Sequence, residues 1–195
     1  MPLEVEDLDF EAIRLAVSQG IIVIEAAGNG NVNLDSVRNK RGTRNLNPRD
    51  DRFYKDSGAI MVGACNKEVL RGGMHTRHPK SNYGSRIDCY AWGEGFATAT
   101  RRDPRETSGS DRYAVLFGGT SGASAIIAGA ALLLQSLYEA RKGERLLPNV
   151  DDPMKNIHAI LSDPATGTQQ RLNFPLDPIG VMPDLKKIIS RLGLA

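Results

Sequence analysis

Apolar and polar residues alternate along the chain in a way that predicts helices and strands in succession. The first helix is predicted to have Asp7 or Asp9 as its cap and to end at Gly20. Its apolar face consists of Phe10, Ile13, Ala16 and Val17. The apolar run 21–27 follows directly and is predicted to be a strand. A helix that passes straight into a strand is typical of an α/β protein with a parallel sheet.

The middle of the chain repeats this pattern between two polar stretches. Further strands are predicted over residues 59–64, 87–91 and 113–117. Residues 30–57 and 93–112 lack apolar periodicity and are predicted to be surface loops or, for the second, a hairpin. The small apolar residues 121–140 predict a helix that is buried on every side and ends at Gly143.

Two more helices are predicted near the end of the chain. One begins at Asp152, with Pro153 as its first helical residue and His158 on its outer side. The other places four apolar residues on one stripe, namely Leu185, Ile188, Ile189 and Leu192.

Composition and charge exclude several classes of partner. The 195 residues carry 25 basic and 23 acidic side chains, a net charge of +2, which favours neither nucleic acid nor an anionic membrane. We find no uninterrupted run of about 18 apolar residues, so no membrane-spanning segment is predicted. Cys65 and Cys89 each belong to a strand-like run and could be buried neighbours, free or bridged.

Metal ligands are sparse in the sequence. The chain has three histidines, and His75 and His78 could chelate a metal only on a helix, whereas the glycines and proline around them predict a loop. The loop 30–57 contains Asp35, Asp50 and Asp51, which could line a substrate cleft or a cation site, although a solvated loop is the simpler interpretation. No cofactor is predicted to be required.

Ser121 is the first candidate for chemistry. It follows the glycine pair Gly118-Gly119 and Thr120 at the predicted start of the long helix. A hydroxyl in this position lies near unpaired backbone N–H groups and the positive end of the helix dipole, which favour a developing oxyanion. Serine before an apolar run is also an ordinary helix cap, so this pattern alone does not establish a nucleophile.

Asn29 is the second candidate. It lies between Gly28 and Gly30, directly after the strand-like run that ends in Ala26 and Ala27. Catalytic and ligand-binding groups in open α/β sheets gather at the carboxyl ends of strands. An Asn-Gly turn with a positive φ is the alternative interpretation of the same residues.

The two candidates together carry a more specific signal. The segments 26–29 and 118–124 resemble the Asn motif and the Gly-Thr-Ser motif of the subtilisin family of serine proteases. Between and after them, the segments 81–85, 87–93 and 157–168 resemble the family's Ser-Asn-Tyr-Gly segment, the next strand, and the terminal helix with its Thr-Gly-Thr end. The resemblance covers roughly residues 8–190. Ala125 and Trp92 depart from it, because the family usually has proline at the first position and often at the second.

This resemblance implies a three-layer α/β fold with a mostly parallel sheet and a role for each motif. Ser121 would be the nucleophile, Asn29 an oxyanion-hole donor, and Ala26, Ala27 and Gly28 one wall of the primary specificity pocket. Gly119 and Thr120 would also border the substrate. The small wall residues would favour sizeable apolar side chains in that pocket.

The resemblance also implies that part of the domain is absent. In the family the catalytic Asp and His precede the Asn motif, and they are expected upstream of Met1. Residues 1–195 would then be the later part of one peptidase domain, inactive alone, with a polypeptide substrate and with the earlier half or a second copy as partner. Relatives imply secretion, and some of them bind structural calcium.

Two other functions fit parts of the sequence. A non-catalytic subtilisin-like binding module would explain the absent Asp and His, although it would have no need for Asn29 and Ser121. An α/β-hydrolase esterase would use Ser121, Asp151 or Asp152, and His158 in that order. Against it, Ala123 breaks the Gly-x-Ser-x-Gly signature and the acid lies too close to His158 in sequence.

Overall fold

The computed structural model describes residues 1–50, 52–70, 73–99, 113–114, 117–173 and 176–195. Its main sheet has five strands in the order β1-β2-β3-β7-β6. They are β1 (Ile24–Ala26), β2 (Ile60–Cys65), β3 (Cys89–Trp92), β6 (Gly167–Gln169) and β7 (Val181–Pro183). β1, β2, β3 and β7 are parallel, and β6 runs antiparallel to β7. The predicted α/β class with a mostly parallel sheet is therefore confirmed.

Four helices and a short hairpin complete the described elements. The helices are α1 (Asp7–Ser18), α2 (Thr120–Lys142), α3 (Ile157–Ser162) and α4 (Leu185–Arg191). Short 3-10 turns span Leu3–Val5 and Leu34–Ser36. The hairpin pairs β4 (Thr98–Ala99) with β5 (Tyr113–Ala114). Of the predicted strand 113–117, the first two residues are therefore confirmed as a strand.

Apolar side chains cover both faces of the sheet and produce three layers. On one face, α2, α3 and α4 pack against alternate residues of β2 and β3, such as Val62 and Cys89. On the other face, Met61 and Tyr90 pack against the turn Leu3–Val5 and the loop after β1. Helix α1 contacts that turn. Leu34, Val37 and Leu46 anchor that loop in the core, so the predicted surface loop 30–57 is partly a core segment.

The long helix α2 differs from its prediction. Its buried residues repeat at helical spacing on one face, for example Ile127, Ala131 and Leu134, whereas Leu132 is 69% and Leu133 50% exposed. The prediction of burial on every side is therefore wrong. By length and composition alone α2 could cross a membrane, but its buried stripe faces β1, β2 and β3, as in the core helix of a folded domain.

Two predicted helix starts are also wrong. α3 begins at Ile157 and not at Asp152, because Asn156 is the residue whose side chain caps it, accepting from Ala159 N at 3.2 Å. Residues 152–156 form a turn instead. In α1 neither Asp7 nor Asp9 is the cap, since Asp7 is already helical and Glu6 precedes it without a side-chain cap. The predicted ends at Gly20 and Gly143 hold, with φ of 79° and 70°.

The two cysteines lie on adjacent strands but are not neighbours and do not bridge. Cys65 on β2 and Cys89 on β3 are both free and fully buried. In the β2–β3 register Cys89 lies opposite Val62 and Cys65 opposite Trp92. Cys65 faces one core and Cys89 the other, so the sheet itself separates the two thiols.

Candidate active site

Two glycine-rich turns meet at the carboxyl ends of the parallel strands. The turn after β1 carries Asn29, and the turn that ends in Gly119 leads into α2, whose first residue is Thr120. Gly119 N donates to the carbonyl of Gly93, just after β3, at 2.7 Å. Thr120 N donates to Asn29 Oδ1 at 2.9 Å. The structure thus brings together the Asn and Gly-Thr-Ser segments, which are 91 residues apart in sequence.

Gly119 allows the close approach of these two turns. Its φ is 74°, in the left-handed region, and a Cβ added to it would lie 2.6 Å from Asn29 Oδ1. No side chain fits at that distance. Glycine is therefore required at this position by backbone conformation and by space.

Thr120 fixes the orientation of the Asn29 amide. The buried Thr120 hydroxyl accepts from Gly28 N at 3.1 Å and donates to Asn29 Oδ1 at 3.2 Å. Because Oδ1 receives both the N–H and the hydroxyl of Thr120, the Nδ2 group of Asn29 points away from that contact. Asn29 is an exposed residue, so an N–H donor is presented at the surface beside the start of α2.

Ser121 is the second residue of α2 and is exposed. The helix begins one residue earlier than the sequence predicts, with Gly119 as its cap. Ser124 Oγ donates to the Ser121 carbonyl at 2.9 Å within the first turn. Ser121 Oγ therefore lies in the first turn, where free backbone N–H groups and the helix dipole favour negative charge. This is an environment suited to an oxyanion.

Asn82 is a residue whose role the sequence analysis missed. It is fully buried, and its Nδ2 donates to Ala27 O at 2.7 Å. Its Oδ1 accepts from Gly30 N at 3.0 Å and Val32 N at 2.9 Å. It therefore fixes the Asn29 turn on both sides. The only sequence signal was its position in the Ser-Asn-Tyr-Gly segment.

The predicted pocket wall is made of backbone more than of side chains. Ala27 is fully buried in the core beneath the site, whereas Ala26 and Gly28 are partly buried. Gly28 has a φ of 93° and lies beneath the Met1 backbone, whose nitrogen would be 3.0 Å from a Cβ at Gly28. The segment 1–5 thus runs next to the predicted wall.

Among the described residues no histidine is hydrogen-bonded to Ser121. His158 Nε2 lies 3.0 Å from Asp88 Oδ1, and Asp88 directly precedes β3, at the opposite end of the sheet from Ser121. The predicted outward position of His158 is wrong, and so is an esterase arrangement that joins His158 to Ser121. His75 is buried, with Nδ1 3.0 Å from Glu68 O.

Burial tends to lower the pKa of His158, but its hydrogen bond to Asp88 and the charge of that carboxylate outweigh burial and raise it. Burial likewise tends to raise the pKa of Asp88, and Arg86, bound at 2.7 Å, followed by His158, lowers it. These shifts describe a structural ion pair, which stabilises the start of β3 against α3.

The candidate cation ligands are not gathered into a site. The Asp35 carboxylate accepts from Ser85 N at 2.8 Å and from Ser85 Oγ at 2.9 Å. Asp51 lies outside the described residues. Within the described part of the chain no three His, Cys, Asp or Glu side chains are grouped as metal ligands would be. His75 and His78 lie in a loop, as the sequence predicts.

Comparison with known proteins agrees with this geometry. The model of the Subtilase family matches residues 5–173. A subtilisin-like protease of Coccidioides posadasii (strain C735) is 32% identical over 128 residues, which are 66% of this chain and 26% of that protein.

Solved structures share the fold. A lanthipeptide protease aligns with a TM-score of 0.62 at 22% identity, over 95% of this chain and 56% of the other. A protease from Pseudoalteromonas arctica PAMC 21717 aligns with a TM-score of 0.59 at 24% identity, over 95% of this chain and 47% of the other. The prenylagaramide maturation protease PagA aligns with a TM-score of 0.55 at 21% identity, over 93% of this chain and 54% of the other. The chain spans about half the length of these solved relatives and about a quarter of the curated one.

Proposed function

Because the chain belongs to the Subtilase family of proteases, we propose that it is the nucleophile-bearing part of a serine endopeptidase. The observation that carries this proposal is the contact between Asn29 and the start of α2. It leaves an N–H donor of Asn29 and the Ser121 hydroxyl at the same edge of the sheet. A polypeptide would be the substrate.

The proposed reaction is acyl transfer through a covalent intermediate. Ser121 Oγ gives its proton to a histidine base and attacks the peptide carbonyl carbon, which forms a tetrahedral oxyanion. Asn29 Nδ2 and the Ser121 backbone N–H donate to that oxygen. When the C–N bond breaks, the leaving amine takes the proton from the histidine. Water then hydrolyses the acyl-enzyme and restores Ser121.

The base and its orienting aspartate must come from residues other than those described near Ser121. Residues 1–28 contain no histidine, and His158 is paired with Asp88. We propose that a segment carrying both groups packs beside β1, from the earlier half of the same domain, and that residues 1–195 alone hydrolyse no peptide. Self-association is the alternative source of such a segment.

The surface around β1 supports this part of the proposal. Among the described strands β1 lies at the edge of the sheet. Exposed apolar residues lie on α1, before β1 and on α2, namely Leu8 at 87%, Leu15 at 63%, Ile21 at 55% and Leu132 at 69%. A groove of about 370 Å³ lies between Ile21, Ile24 and α2. An unpaired strand edge between apolar surfaces is suited to pairing with a further strand.

A non-catalytic module is the second candidate, and the absence of a base near Ser121 among the described residues is what favours it. An experiment separates the two. The chain is produced alone and together with the coding sequence immediately upstream, and both forms are assayed for peptide hydrolysis and for labelling by a fluorophosphonate. We expect activity only in the longer form, and its loss in Ser121→Ala.

Asn29→Ala in the longer form should lower kcat about 10² to 10³-fold, a range that comes from a subtilisin asparagine and not from this chain's geometry. Activity that survives Ser121→Ala would refute the assignment of the nucleophile. Upstream sequence without an Asp and a His, together with an inactive protein, would favour the binding module. We propose a secreted enzyme with no required cofactor, from family resemblance alone.

A further inference from the structure

Glu25 is a buried carboxyl in the middle of β1, and within the described part of the chain no basic side chain forms a salt bridge with it. Its exposed fraction is 5%. Oε1 accepts from the backbone N–H groups of Leu3 and Glu4, the second at 3.1 Å. Oε2 is buried and has no hydrogen-bond partner among the described residues. A buried ionised carboxylate without a partner is costly, so this site favours the neutral acid.

The nearby charges reinforce that preference. Glu4 is fully buried and binds Arg86 through Nε at 2.7 Å and Nη2 at 3.2 Å, and it also accepts from the Ser57 hydroxyl. Arg86 binds Asp88 at 2.7 Å and faces Asp56 at 3.5 Å. The Arg86 guanidinium therefore already forms salt bridges with three carboxylates other than that of Glu25.

Groups from other elements do not supply the missing charge. On α3, His158 is committed to Asp88. Burial raises the pKa of the Tyr54 phenol, from the loop before β2, to about 12, so Tyr54 is neutral. Burial, and then the charge of Glu4, raise the pKa of Glu25 to about 7 against the opposing effects of the backbone N–H groups and Arg86.

The two hydrogen bonds that the Glu25 carboxyl accepts from backbone N–H groups hold residues 1–5, the segment that contacts the candidate site. Leu3 and Glu4 belong to the turn at residues 3–5, and the Met1 backbone two residues earlier packs over Gly28. Gly28 N in turn donates to Thr120 Oγ1. A continuous set of contacts thus joins the Glu25 carboxyl to the turn that carries Asn29.

We propose that Glu25 is a pH-sensitive positioning residue. Its neutral carboxyl can stay buried and hold residues 1–5 against Gly28. Its ionised form is the stronger acceptor for the two backbone N–H groups, but it places an unpartnered Oε2 and a second buried negative charge beside Glu4, which disfavours the closed arrangement as a whole. The link to substrate binding rests on the proposed function, since it assumes that Gly28 borders the substrate. The link between Glu25 and the segment does not, and it can be tested without catalysis.

The first test is a carboxyl ¹³C NMR titration of the full 195-residue chain. We expect the Glu25 resonance to titrate near pH 7 and the Gly28 amide resonance to shift with the same midpoint. A Glu25 midpoint near the ordinary value of 4.5 would overturn the proposal. So would a Gly28 resonance that does not follow Glu25. Neither outcome depends on whether Ser121 is a nucleophile.

The second test is the variant Glu25→Gln, a neutral side chain of the same shape. When folding raises the pKa of a carboxyl, the folded state loses stability as the pH rises from the pKa of the unfolded chain to the pKa of the folded chain. From well below pH 4.5 to well above pH 7 the folding equilibrium constant of the wild type should fall roughly 300-fold in total relative to that of Glu25→Gln. At pH 4 the two proteins should be equally stable.

Hydrogen exchange locates the effect. Protection of the Leu3 and Glu4 amides should decrease above pH 7 in the wild type and should not change with pH in Glu25→Gln. Glu11→Gln, on the exposed surface of α1 where Glu11 pairs with Arg14, is the matched control and should behave as the wild type. Equal pH dependence in the wild type and Glu25→Gln would refute the proposal.

Discussion

Asn29 Oδ1 accepts the Thr120 backbone N–H at 2.9 Å and the Thr120 hydroxyl at 3.2 Å. Asn29 and Thr120 come from turns at the ends of different strands, and this contact determines which way the Asn29 amide faces. The proposed catalytic roles of Asn29 and Ser121 depend on it. Thr120 is thus a positioning residue for the donor, and its effect on stability can be measured directly.

Thr120→Val should destabilise the chain by about 1 to 3 kcal/mol, because the Gly28 N–H loses a buried acceptor. Urea denaturation measures this change. Thr120→Ser, which retains the hydroxyl, is the control and should recover most of the loss. Equal destabilisation by both substitutions would mean that packing of the threonine methyl, and not its hydrogen bonds, is what matters.

Gly119→Ala should displace Asn29 as well as destabilise the fold, because a Cβ would lie 2.6 Å from Asn29 Oδ1. Gly42→Ala is the matched control: its φ of 77° is similar to the 74° of Gly119, but no atom lies within 4 Å of its Cβ position. The control gives the cost of a positive φ at an unobstructed position, about 1 to 2 kcal/mol. Gly119 adds a backbone cost of its own, because its ψ of −165° lies in a region that is essentially restricted to glycine.

We expect Gly119→Ala to cost clearly more than that and to shift the Asn29 side-chain amide resonance, which Gly42→Ala should leave in place. If the two variants are equally stable, the close approach of the turns is not a constraint on residue 119.

Asn82→Ala should destabilise the chain by about 3 kcal/mol or more, because it leaves Ala27 O, Gly30 N and Val32 N without their buried partner. Asn47→Ala is the comparison, since the Asn47 side chain makes one exposed hydrogen bond to Arg49 N. It should cost less than 1 kcal/mol. Thermal unfolding of both variants checks the difference, and similar values would contradict the bracing role of Asn82.

The pair of His158 and Asp88 predicts a decrease in stability at both ends of the pH range. The pKa of His158 is raised in the folded state, so its contribution is complete below its unfolded value and is lost as the pH rises through the folded one. The pKa of Asp88 is lowered, so its contribution is lost as the pH falls below the ordinary value of 3.8.

His158→Gln should therefore reduce the loss of stability above pH 6.5, with little effect on the loss in acid that comes from Arg86 and Asp88. Denaturation curves from pH 3 to pH 9 measure both. Because Glu25 is proposed to titrate near neutral pH, the comparison is best made in the Glu25→Gln background. An unchanged alkaline slope would show that the pair does not stabilise the fold.

Both thiols should be unreactive in the native chain. Burial raises the pKa of Cys65 to about 12 and raises that of Cys89 as well, and the reactive form of a thiol is the thiolate. Titration with a thiol reagent should detect no fast-reacting group in native buffer and two in denaturant. An intramolecular disulfide formed under mild oxidation would contradict their placement on opposite faces of the sheet.

Local patterns predicted much of this molecule because they act over a few residues. The runs at 21–27 and 59–64 became adjacent parallel strands, and Gly20 and Gly143 end helices because each glycine takes a positive φ at no steric cost. The stripe of Ile188 and Leu192 is buried as its spacing predicts. The motifs around Asn29 and Ser121 indicate the same family as the family model that matches residues 5–173.

The sequence by itself thus determined the α/β class, the strand runs, most helix ends and the two motifs, since each depends on neighbours in the chain. Only the tertiary structure decided which contacts cross long separations. It placed His158 on Asp88, left one face of α2 exposed, put the two cysteines on opposite faces, and buried Asn82 and Glu25. The hydrogen-bond partners of Glu25 and Asn82, for example, lie 21 and 55 positions away in sequence, and no local pattern records which distant group will become a neighbour.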